Sequence, residues 1–348
     1  MMETESKTYP KEWKEIERLA RGVFEQGRGR ADVWTHRDGG AETGSTFRRN
    51  VEAFDQLGFE ARFIHDVTAP ELAVDLMGKR VSCSIAIGPM SSVIAKVCDE
   101  TFVAMAEGCK EAGIIASCGF PVATDTLRKM VQTGAWAFQV IKPLKDRGKL
   151  KAEVERVEQE GGIAVGVDVD SIAGLKATGD EPHFHEICTT YSVKELAEVR
   201  SRTKLPFIVK GVLSVEDAIA AIDSGADIIV VSTHAGFAMD YTRSSLEVLP
   251  AIRKAVGKRA TIILDSGVRR GSDVIKALAL GADAVFIGRL ALWGLAMDGA
   301  SGLAWVLKLI REEMARTMIL MGIKKVGDLH PGCLVPLGPM GERILESC

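Results

Sequence analysis

The stretch PFIVKGVLSVEDAIAAIDSGADIIVVS, residues 206–232, decides the fold. It contains two short apolar runs, PFIVKG (206–211) and DIIVVS (227–232), on either side of the segment VEDAIAAIDSGA (215–226). Both runs are apolar on both faces, as buried parallel strands are. The segment between them is amphipathic and ends in Gly-Ala, a helix stop that leads into the next strand. The stretch therefore predicts a strand–helix–strand unit.

The same alternation recurs along most of the chain, with GSDVIKALALGA (271–282) as a second clear helix pattern. The strand candidates are VSCSIAI (81–87), GIIAS (113–117), AWAFQV (135–140), GIAVGVD (162–168), PFIVKG (206–211), DIIVVS (227–232), TIILD (261–265) and AVFIG (284–288). Eight strand–helix units in one chain predict an α/β fold of the closed (β/α)8 type, a TIM barrel. A doubly wound open sheet is the alternative. It fits less well because no GxGxxG motif follows the first strand.

The chain reads as a single domain, residues 1–348, without a Pro/Ser-rich linker or a low-complexity tract. We expect the barrel over residues 81–322 and an N-terminal helical extension over residues 1–80. In that extension the sequence predicts helices at 11–26 and 46–58. The tail, residues 323–348, contains HPGCLVPLGPM and is expected to be irregular.

Composition excludes several classes of protein. The 348 residues carry a formal net charge of −3, so no strong field draws the chain to nucleic acid or to anionic lipid. No apolar run reaches the ~20 residues that a membrane span needs. The first residues are charged and lack the apolar stretch of a signal peptide, so a cytoplasmic protein is expected. The seven cysteines include no CxxC pair and are interpreted as buried or incidental thiols.

Three charged side chains are predicted to lie at the mouth of the barrel, because active sites of such barrels sit at the carboxyl ends of the strands. Asp168, Lys210 and His234 each end or follow a predicted strand. A neutral His234 imidazole can act as a general base. Asp168 can accept its second ring proton and stabilise the imidazolium that forms. Lys210 can hold negative charge on a cofactor ring or form a Schiff base; the alternative is a lysine that reaches out to solvent.

Glycines and arginines follow the last two predicted strands, in LDSGVRRGSD (264–273) and FIGRL (286–290). Glycine lets the backbone approach a ligand, and the following helix N-terminus favours an anion. The loops after strands 7 and 8 are the usual phosphate site of these barrels. The pattern therefore predicts phosphate binding, although the glycines can instead serve tight turns and the arginines can be solvated.

The segment EPHFHE (181–186) is the one motif with the spacing of metal ligands. His183, His185 and Glu186 can bind a metal when they lie on a strand. Because Pro182 places them in a polar connection, we expect no metal site there.

Two long segments resemble the FMN-dependent α-hydroxy acid oxidase and dehydrogenase family, which includes glycolate oxidase, lactate oxidase and mandelate dehydrogenase. They are KGVLSVEDAIAAIDSGADIIVVSTHAGFAMD (210–240) and LDSGVRRGSDVIKALALGADAVFIGRLALWGLAMDG (264–299). Shorter segments follow in the family's order: GAETGSTFRRNVEAF (40–54), RFIHDV (62–67), IAIGPM (85–90) and FQ (138–139). The resemblance covers most of residues 32–325.

The resemblance implies FMN as cofactor, His234 as catalytic base and Asp168 as its partner. The base removes a proton from the substrate while both electrons pass to the flavin. The implied cofactor-binding residues lie along the flavin ring, at its polar edge, or beside the ribityl chain and phosphate. They are Pro89, Met90, Ser91, Gly119, Gln139, Lys210, Ser232, Asp265, Gly267, Arg269, Gly288 and Arg289.

The departures from the family concern the substrate. Phe237 stands where the family places an arginine that clamps the substrate carboxylate, and two family tyrosines correspond to His36 and Ile141. A second family arginine has no clear counterpart; Leu175 and Lys176 lie near its place. We therefore predict His36, Ile141 and Phe237 as substrate-binding residues without a charge clamp.

Losing such a clamp would cost a carboxylate substrate several kcal/mol. The sequence thus favours an FMN-dependent dehydrogenation of a carbon bearing OH or NH, on a small-molecule substrate that is larger or less acidic than lactate. A specialised biosynthetic pathway is the expected setting, and the resemblance implies a homo-oligomer, a tetramer.

Three alternatives remain open at this point. The first is an ordinary 2-hydroxy acid oxidase that recruits Arg37, Lys142 or Lys176 as a substitute clamp. The second is an FMN-dependent isomerase or another non-redox flavin enzyme. The third is a barrel that binds FMN or a phosphate ligand without catalysis.

Overall fold

The computed structural model describes residues 8–27, 39–172 and 187–348. Its strands in chain order are β1 (Leu57–Phe59), β2 (Val74–Leu76), β3 (Lys79–Val81), β4 (Ile85–Ile87), β5 (Ala116–Cys118), β6 (Ala137–Ile141), β7 (Val165–Asp168), β8 (Phe207–Val212), β9 (Ile228–Val231), β10 (Thr261–Leu264), β11 (Ala284–Ile287) and β12 (Leu334–Pro336). Strands β4 to β11 form one parallel sheet in the order β4-β11-β10-β9-β8-β7-β6-β5. A parallel bridge between Ala86 and Ile115 joins the two ends of this sheet and closes the barrel.

All eight predicted barrel strands are present, and the TIM-barrel prediction is confirmed. The strands are apolar on both faces because one face packs inside the barrel and the other packs against the surrounding helices. Inside the barrel, Phe138 and Phe286 stack with ring centroids 5.4 Å apart. The β2–β3 hairpin adds Leu76 and Val81 to this inner layer. The outward-facing side chains pack against the surrounding helices in a second, larger core.

The helices occupy Trp13–Glu25, Ser45–Asp55, Thr101–Ala112, Thr126–Gln132, Arg147–Gln159, Val193–Arg200, Val215–Asp223, Ser245–Val256, Gly271–Ala279, Arg289–Met321 and Pro339–Glu346. The long helix Arg289–Met321 is interrupted by non-helical backbone at Asp298 and Gly299. By length and composition alone it could cross a membrane, but 67% of its most apolar window is buried inside this fold. It packs against Thr101–Ala112 and Trp13–Glu25 and is therefore a core helix here.

The predictions for the two ends of the chain had different outcomes. The helices expected at 11–26 and 46–58 are present as Trp13–Glu25 and Ser45–Asp55. The prediction of an irregular tail over 323–348 is wrong. Strand β12 pairs antiparallel with β1, and the helix Pro339–Glu346 follows it. The Pro and Gly residues of this segment led to the prediction of irregular structure. Pro is, however, well tolerated in the first turn of a helix, as at Pro339.

The helix Ser45–Asp55 is tied to the loop after β9, which carries His234. The Asp240 carboxylate accepts hydrogen bonds from the Thr43 amide (2.9 Å), the Thr43 hydroxyl (2.7 Å) and the Thr46 amide (2.8 Å). Arg49 adds an ion pair to Glu247 at 2.6 Å. The N-terminal extension therefore braces the mouth of the barrel.

We expect Asp240→Asn to lower the free energy of unfolding by about 1–3 kcal/mol at pH 7, because an amide cannot accept all three donors. Burial acts to raise the pKa of Asp240, but hydrogen bonds from Thr43 and Thr46 hold it well below its ordinary value. A depressed pKa stabilises the fold above the unfolded-state pKa and loses this effect as the pH falls. The difference between variant and wild type should therefore persist down to about pH 4 and narrow below it.

Urea unfolding at pH 7, pH 4 and pH 3 checks this expectation. Asp75→Asn is the control, because the Asp75 side chain is 79% exposed in its ion pair with Arg80, and its effect should stay within about 0.5 kcal/mol. Equal stability of the Asp240 variant and the wild type at pH 7 would show that Asp240 does not stabilise the contact between the helix Ser45–Asp55 and the loop after β9.

Candidate active site

A strained turn carries His234. The segment His234–Gly236 follows β9 with φ values of 53°, 55° and 80°, all in the left-handed region. Such values are uncommon for residues other than glycine, and two in succession store energy at this position. Gly236 is required here, because a Cβ on it would lie 2.7 Å from the backbone nitrogen of Phe47. The helix Ser45–Asp55, which contains Phe47, thus fixes the position of the imidazole.

Hydroxyl groups complete the support of this turn. The backbone amide of His234 donates to Ser232 Oγ at 3.0 Å, and that of Ala235 donates to Ser266 Oγ at 3.0 Å. The amide of Asn50 donates to Thr233 Oγ1 at 2.8 Å. Ser232 was predicted to reach the cofactor. It is instead fully buried and does not border the cavity.

A cavity of about 1340 Å³, counted out to its open mouth, lies at the carboxyl ends of the barrel strands. Most of the predicted site residues line it together: Pro89, Met90, Ser91, Gly119, Asp168, Lys210, His234, Phe237, Asp265, Gly267, Gly288 and Arg289. The loops after the seventh and eighth barrel strands, β10 and β11, therefore meet the His234 loop, as expected for a barrel of this type.

Two predicted residues of β6 face away from the cavity. Phe138 and Val140 belong to the inner layer of the barrel, so the alternate positions Gln139 and Ile141 point outward to the helices. Gln139 donates to the Gly119 carbonyl at 2.9 Å and accepts from Arg156 at 2.7 Å. The structure thus places Gln139 and Ile141 away from the cavity, in contrast to their predicted contacts with cofactor and substrate.

The next inward position on this side is Lys142, which lines the cavity and is almost fully buried. The other predicted substrate residue, His36, lies outside the described residues, as do Arg37, Lys176 and the EPHFHE segment.

The two predicted arginines have separate environments. Arg269 forms ion pairs with Asp55 at 2.7 Å and Asp273 at 3.3 Å and does not border the cavity, so the structure places it apart from the other predicted cofactor residues. Arg289 lines the cavity, with its guanidinium 4.4 Å from the ring centroid of Phe47. Burial lowers the pKa of Arg289 to about 10, which still leaves the guanidinium charged at neutral pH. Because a buried charge is poorly screened by solvent, it would strongly stabilise a nearby anion.

A buried charge cluster lies beneath the imidazole. Asp168 accepts from Lys142 Nζ at 2.7 Å and from Lys210 Nζ at 3.0 Å. Burial alone would raise the pKa of Asp168, but these two ammonium groups hold it well below its usual range. Burial acts to lower the pKa of Lys210, yet the carboxylates of Asp168, Asp170 and Asp265 raise it above its ordinary value. Asp168 and Lys210 are therefore both charged at neutral pH.

The nearest carboxylate to His234 is one that sequence reasoning missed. His234 Nδ1 lies 3.0 Å from Asp170 Oδ1 and 3.5 Å from Asp168 Oδ2. The prediction that Asp168 alone partners His234 is thus incomplete. The second aspartate of VDVD (167–170) could have indicated this residue, but only the first aspartate lies at the end of the strand. Asp170 lies in the turn after β7, where an acid usually faces solvent.

Asp168, Asp170 and His234 place potential ligand atoms within 4.8 Å of one another, which is the spacing of a metal site. Two ammonium groups already contact Asp168, so a further cation would be repelled there. What the arrangement can do is accept a proton at the imidazole ring nitrogen that does not face the carboxylates. The imidazolium that forms would lie beside two carboxylates.

Phe237 forms part of the cavity wall, three residues after His234. Its ring packs edge-on against Phe47, with centroids 6.4 Å apart. Among the described residues that line the cavity, the cationic side chains are Lys142, Lys210 and Arg289. The first two are bound to Asp168.

Comparison with known sequences agrees with this geometry. The chain matches the FMN-dependent dehydrogenase family over residues 26–181 and 173–336. A peroxisomal (S)-2-hydroxyacid oxidase of Arabidopsis thaliana is 32% identical over 327 residues, covering 84% of this chain and 88% of the relative. An L-lactate oxidase of a Nostoc species is 31% identical over 337 residues, covering 85% of this chain and 91% of the relative.

Solved structures of mandelate oxidase superpose closely. One has a TM-score of 0.84 at 28% identity and covers 94% of this chain and 98% of its own. A variant of mandelate oxidase that carries a monooxide FMN adduct has a TM-score of 0.81 at 29% identity, covering 92% and 98%. This chain therefore belongs to the FMN-dependent α-hydroxy acid oxidase and dehydrogenase family and is an FMN-dependent oxidoreductase.

Proposed function

We propose that this enzyme dehydrogenates a carbon bearing OH or NH in a substrate that is larger or less acidic than the short 2-hydroxy acids. One observation carries the proposal: the cavity wall beside His234 is the phenyl ring of Phe237, packed against Phe47. A phenyl ring cannot form a bidentate ion pair with a carboxylate. It offers instead an apolar surface for an alkyl or aryl group of the substrate.

The end of the cavity near Arg289 fits the phosphate of FMN. Gly288 caps the N-terminus of the helix Arg289–Met321, where free amide groups favour an anion. A Cβ on Gly288 would meet nothing within 4 Å, so open space lies beside this backbone. We assign Gly288 and Arg289 to the phosphate, and the segment from Pro89 to Ser91 to the ring. When bound, FMN supplies the acceptor for the electron pair that leaves the substrate.

His234 supplies the proton acceptor in this proposal. A positioned base contributes about 10²–10⁴-fold to such a step. The imidazolium that forms lies within 3.0 Å of Asp170 and 3.5 Å of Asp168, so its charge is stabilised where it develops. The strained turn keeps the ring in place before the substrate arrives.

A relative supports the less acidic substrate. An arginine-to-leucine variant of mandelate oxidase has been crystallised with 2-hydroxy-phenylacetamide, an uncharged amide, and its structure has a TM-score of 0.80 to this chain.

An ordinary 2-hydroxy acid oxidase is the second candidate, because Lys142 faces the cavity and the relatives named above oxidise such acids. Lys142 is, however, bound to Asp168 at 2.7 Å and to Ser171 at 2.7 Å. Recruiting it as a clamp would break a buried ion pair, which is costly when one charge is left without its partner.

We expect Arg289→Met to raise the dissociation constant of FMN by about 10- to 100-fold, because a charge-assisted hydrogen bond to the phosphate is lost. Arg269→Met is the matched control and should change FMN affinity by less than about threefold, while lowering the melting temperature through loss of its ion pairs. Flavin fluorescence quenching and thermal unfolding measure the two effects. Equal loss of FMN in both variants would contradict the assignment.

We expect the wild-type enzyme to turn over 2-hydroxy-phenylacetamide with a higher kcat/KM than (S)-mandelate, two compounds that differ mainly in charge. Phe237→Arg should shift this ratio toward the acid by about 10-fold or more, because it restores a bidentate partner for the carboxylate. Steady-state assays with both compounds, and with lactate and glycolate, measure the ratio. Efficient turnover of lactate or glycolate by the wild type would refute the less acidic substrate.

We expect His234→Asn to retain bound FMN and to slow flavin reduction by about 10²–10⁴-fold. His330→Asn, in the C-terminal tail, is the control and should reduce at the wild-type rate. Anaerobic stopped-flow mixing with an active compound from the assays above gives both rates. Turnover without lasting bleaching of the wild-type flavin would identify an isomerase, and an unchanged rate in His234→Asn would argue for another base.

A further inference from the structure

We propose that Asp170, rather than Asp168, fixes the tautomer of His234 and is the positioning residue of the base. The inference rests on the proposed function only in that His234 is the base. It concerns an aspartate that lies two residues beyond the one implied by the family resemblance.

The distances separate the two carboxylates. His234 Nδ1 is 3.0 Å from Asp170 Oδ1, a normal hydrogen-bond length, and 3.5 Å from the nearer oxygen of Asp168. That oxygen of Asp168 already accepts from Lys142 at 2.7 Å, and its other oxygen accepts from Lys210 at 3.0 Å. Asp168 is therefore committed to the two lysines, and the imidazole proton has Asp170 as its acceptor.

The neighbouring ammonium group makes this acceptor decisive. Lys210 Nζ lies 3.5 Å from His234 Nδ1. An ammonium can only donate, so by itself Lys210 would favour a lone pair on Nδ1 and place the proton on Nε2. That tautomer could not accept a substrate proton at Nε2. The Asp170 carboxylate, 0.5 Å closer to Nδ1, favours the opposite tautomer, with the proton on Nδ1 and a free lone pair on Nε2.

The local backbone is built to bring Asp170 this close. Gly211, at the end of β8, has a φ of +99°, and a Cβ on it would lie 2.6 Å from Asp170 Cγ. Only glycine at this position lets the Asp170 side chain lie against the strand. The side chain is 10% exposed, so its charge is poorly screened by solvent.

The charge of Asp170 has few other partners. Ser171 Oγ lies 3.2 Å from Oδ1, the oxygen that faces His234. The second oxygen, Oδ2, is buried and accepts no hydrogen bond in the structure. In contrast to Asp168, no lysine contacts Asp170 at ion-pair distance among the described residues. Its charge is therefore directed mainly at the imidazole.

The tautomer can be observed directly in FMN-loaded protein labelled with ¹⁵N-histidine. Two-bond ¹H–¹⁵N correlation spectra distinguish the two tautomers at a pH where the imidazole is neutral, and His234→Asn identifies the His234 signals. We expect Nδ1–H in the wild type and in Asp170→Glu, and Nε2–H or a mixture in Asp170→Asn, whose amide can donate to Nδ1. An unchanged Nδ1–H signal in Asp170→Asn would overturn the proposal.

Asp168→Asn provides the matched comparison, and flavin absorbance and thermal unfolding show whether it folds. We expect it to keep the Nδ1–H tautomer. If it folds and loses that tautomer while Asp170→Asn keeps it, Asp168 is the positioning residue and the proposal is wrong. Should Asp168→Asn not fold, the pair Asp170→Asn and Asp170→Glu still decides the question.

Kinetics give an independent readout. We expect Asp170→Asn to lower kcat by about 10²–10⁴-fold with a small change in KM, since the wrong tautomer disables the base without altering substrate contacts. Asp170→Glu should restore part of the lost rate. Because the spectra need no substrate, the tautomer assignment can fail or hold separately from the proposed reaction, which is tested by His234→Asn.

Discussion

The site depends on one buried interaction, the Asp168 carboxylate held between the ammonium groups of Lys142 and Lys210. Removing three charges from water is costly, and only their mutual attraction makes the arrangement tolerable. The interaction joins the end of β7 to the end of β8 and to the segment after β6. It thereby sets the floor of the cavity and determines which groups remain for His234. Because Asp168 is shared by two lysines, a second carboxylate is needed beside the imidazole.

The wall of the site is held from outside the barrel. The turn at His234–Gly236 has backbone angles that the local sequence would not favour alone, and the helix Ser45–Asp55 packs directly on it. Asp240 anchors that helix to the same loop, and the Arg49–Glu247 pair anchors it to the helix Ser245–Val256. The N-terminal extension therefore supports the site mechanically, although none of its described residues borders the cavity.

Much of this could be predicted from sequence, because the relevant signals are local. The barrel strands are short apolar runs bounded by turns, and Asp168, Lys210 and His234 follow directly from their ends. The structure departs from the prediction where a one-residue difference in register changes the face of a strand, as at Gln139 and Ile141. Asp170 and Arg269 show a second limit. The first lies in a turn that only packing against Gly211 brings inward, and the second is drawn away by Asp55, distant in sequence.

The separation of Phe237 from the proton-transfer groups has a consequence for how such enzymes diversify. The imidazole is fixed by hydrogen bonds to Asp170 and by the serines around the turn, and none of these bonds involves the side chain at position 237. A change at that position alters which molecules are accepted while the chemistry stays intact. The same short turn thus carries the proton acceptor and one wall of the cavity, so the shape of that wall can vary while the hydrogen bonds to the imidazole are retained.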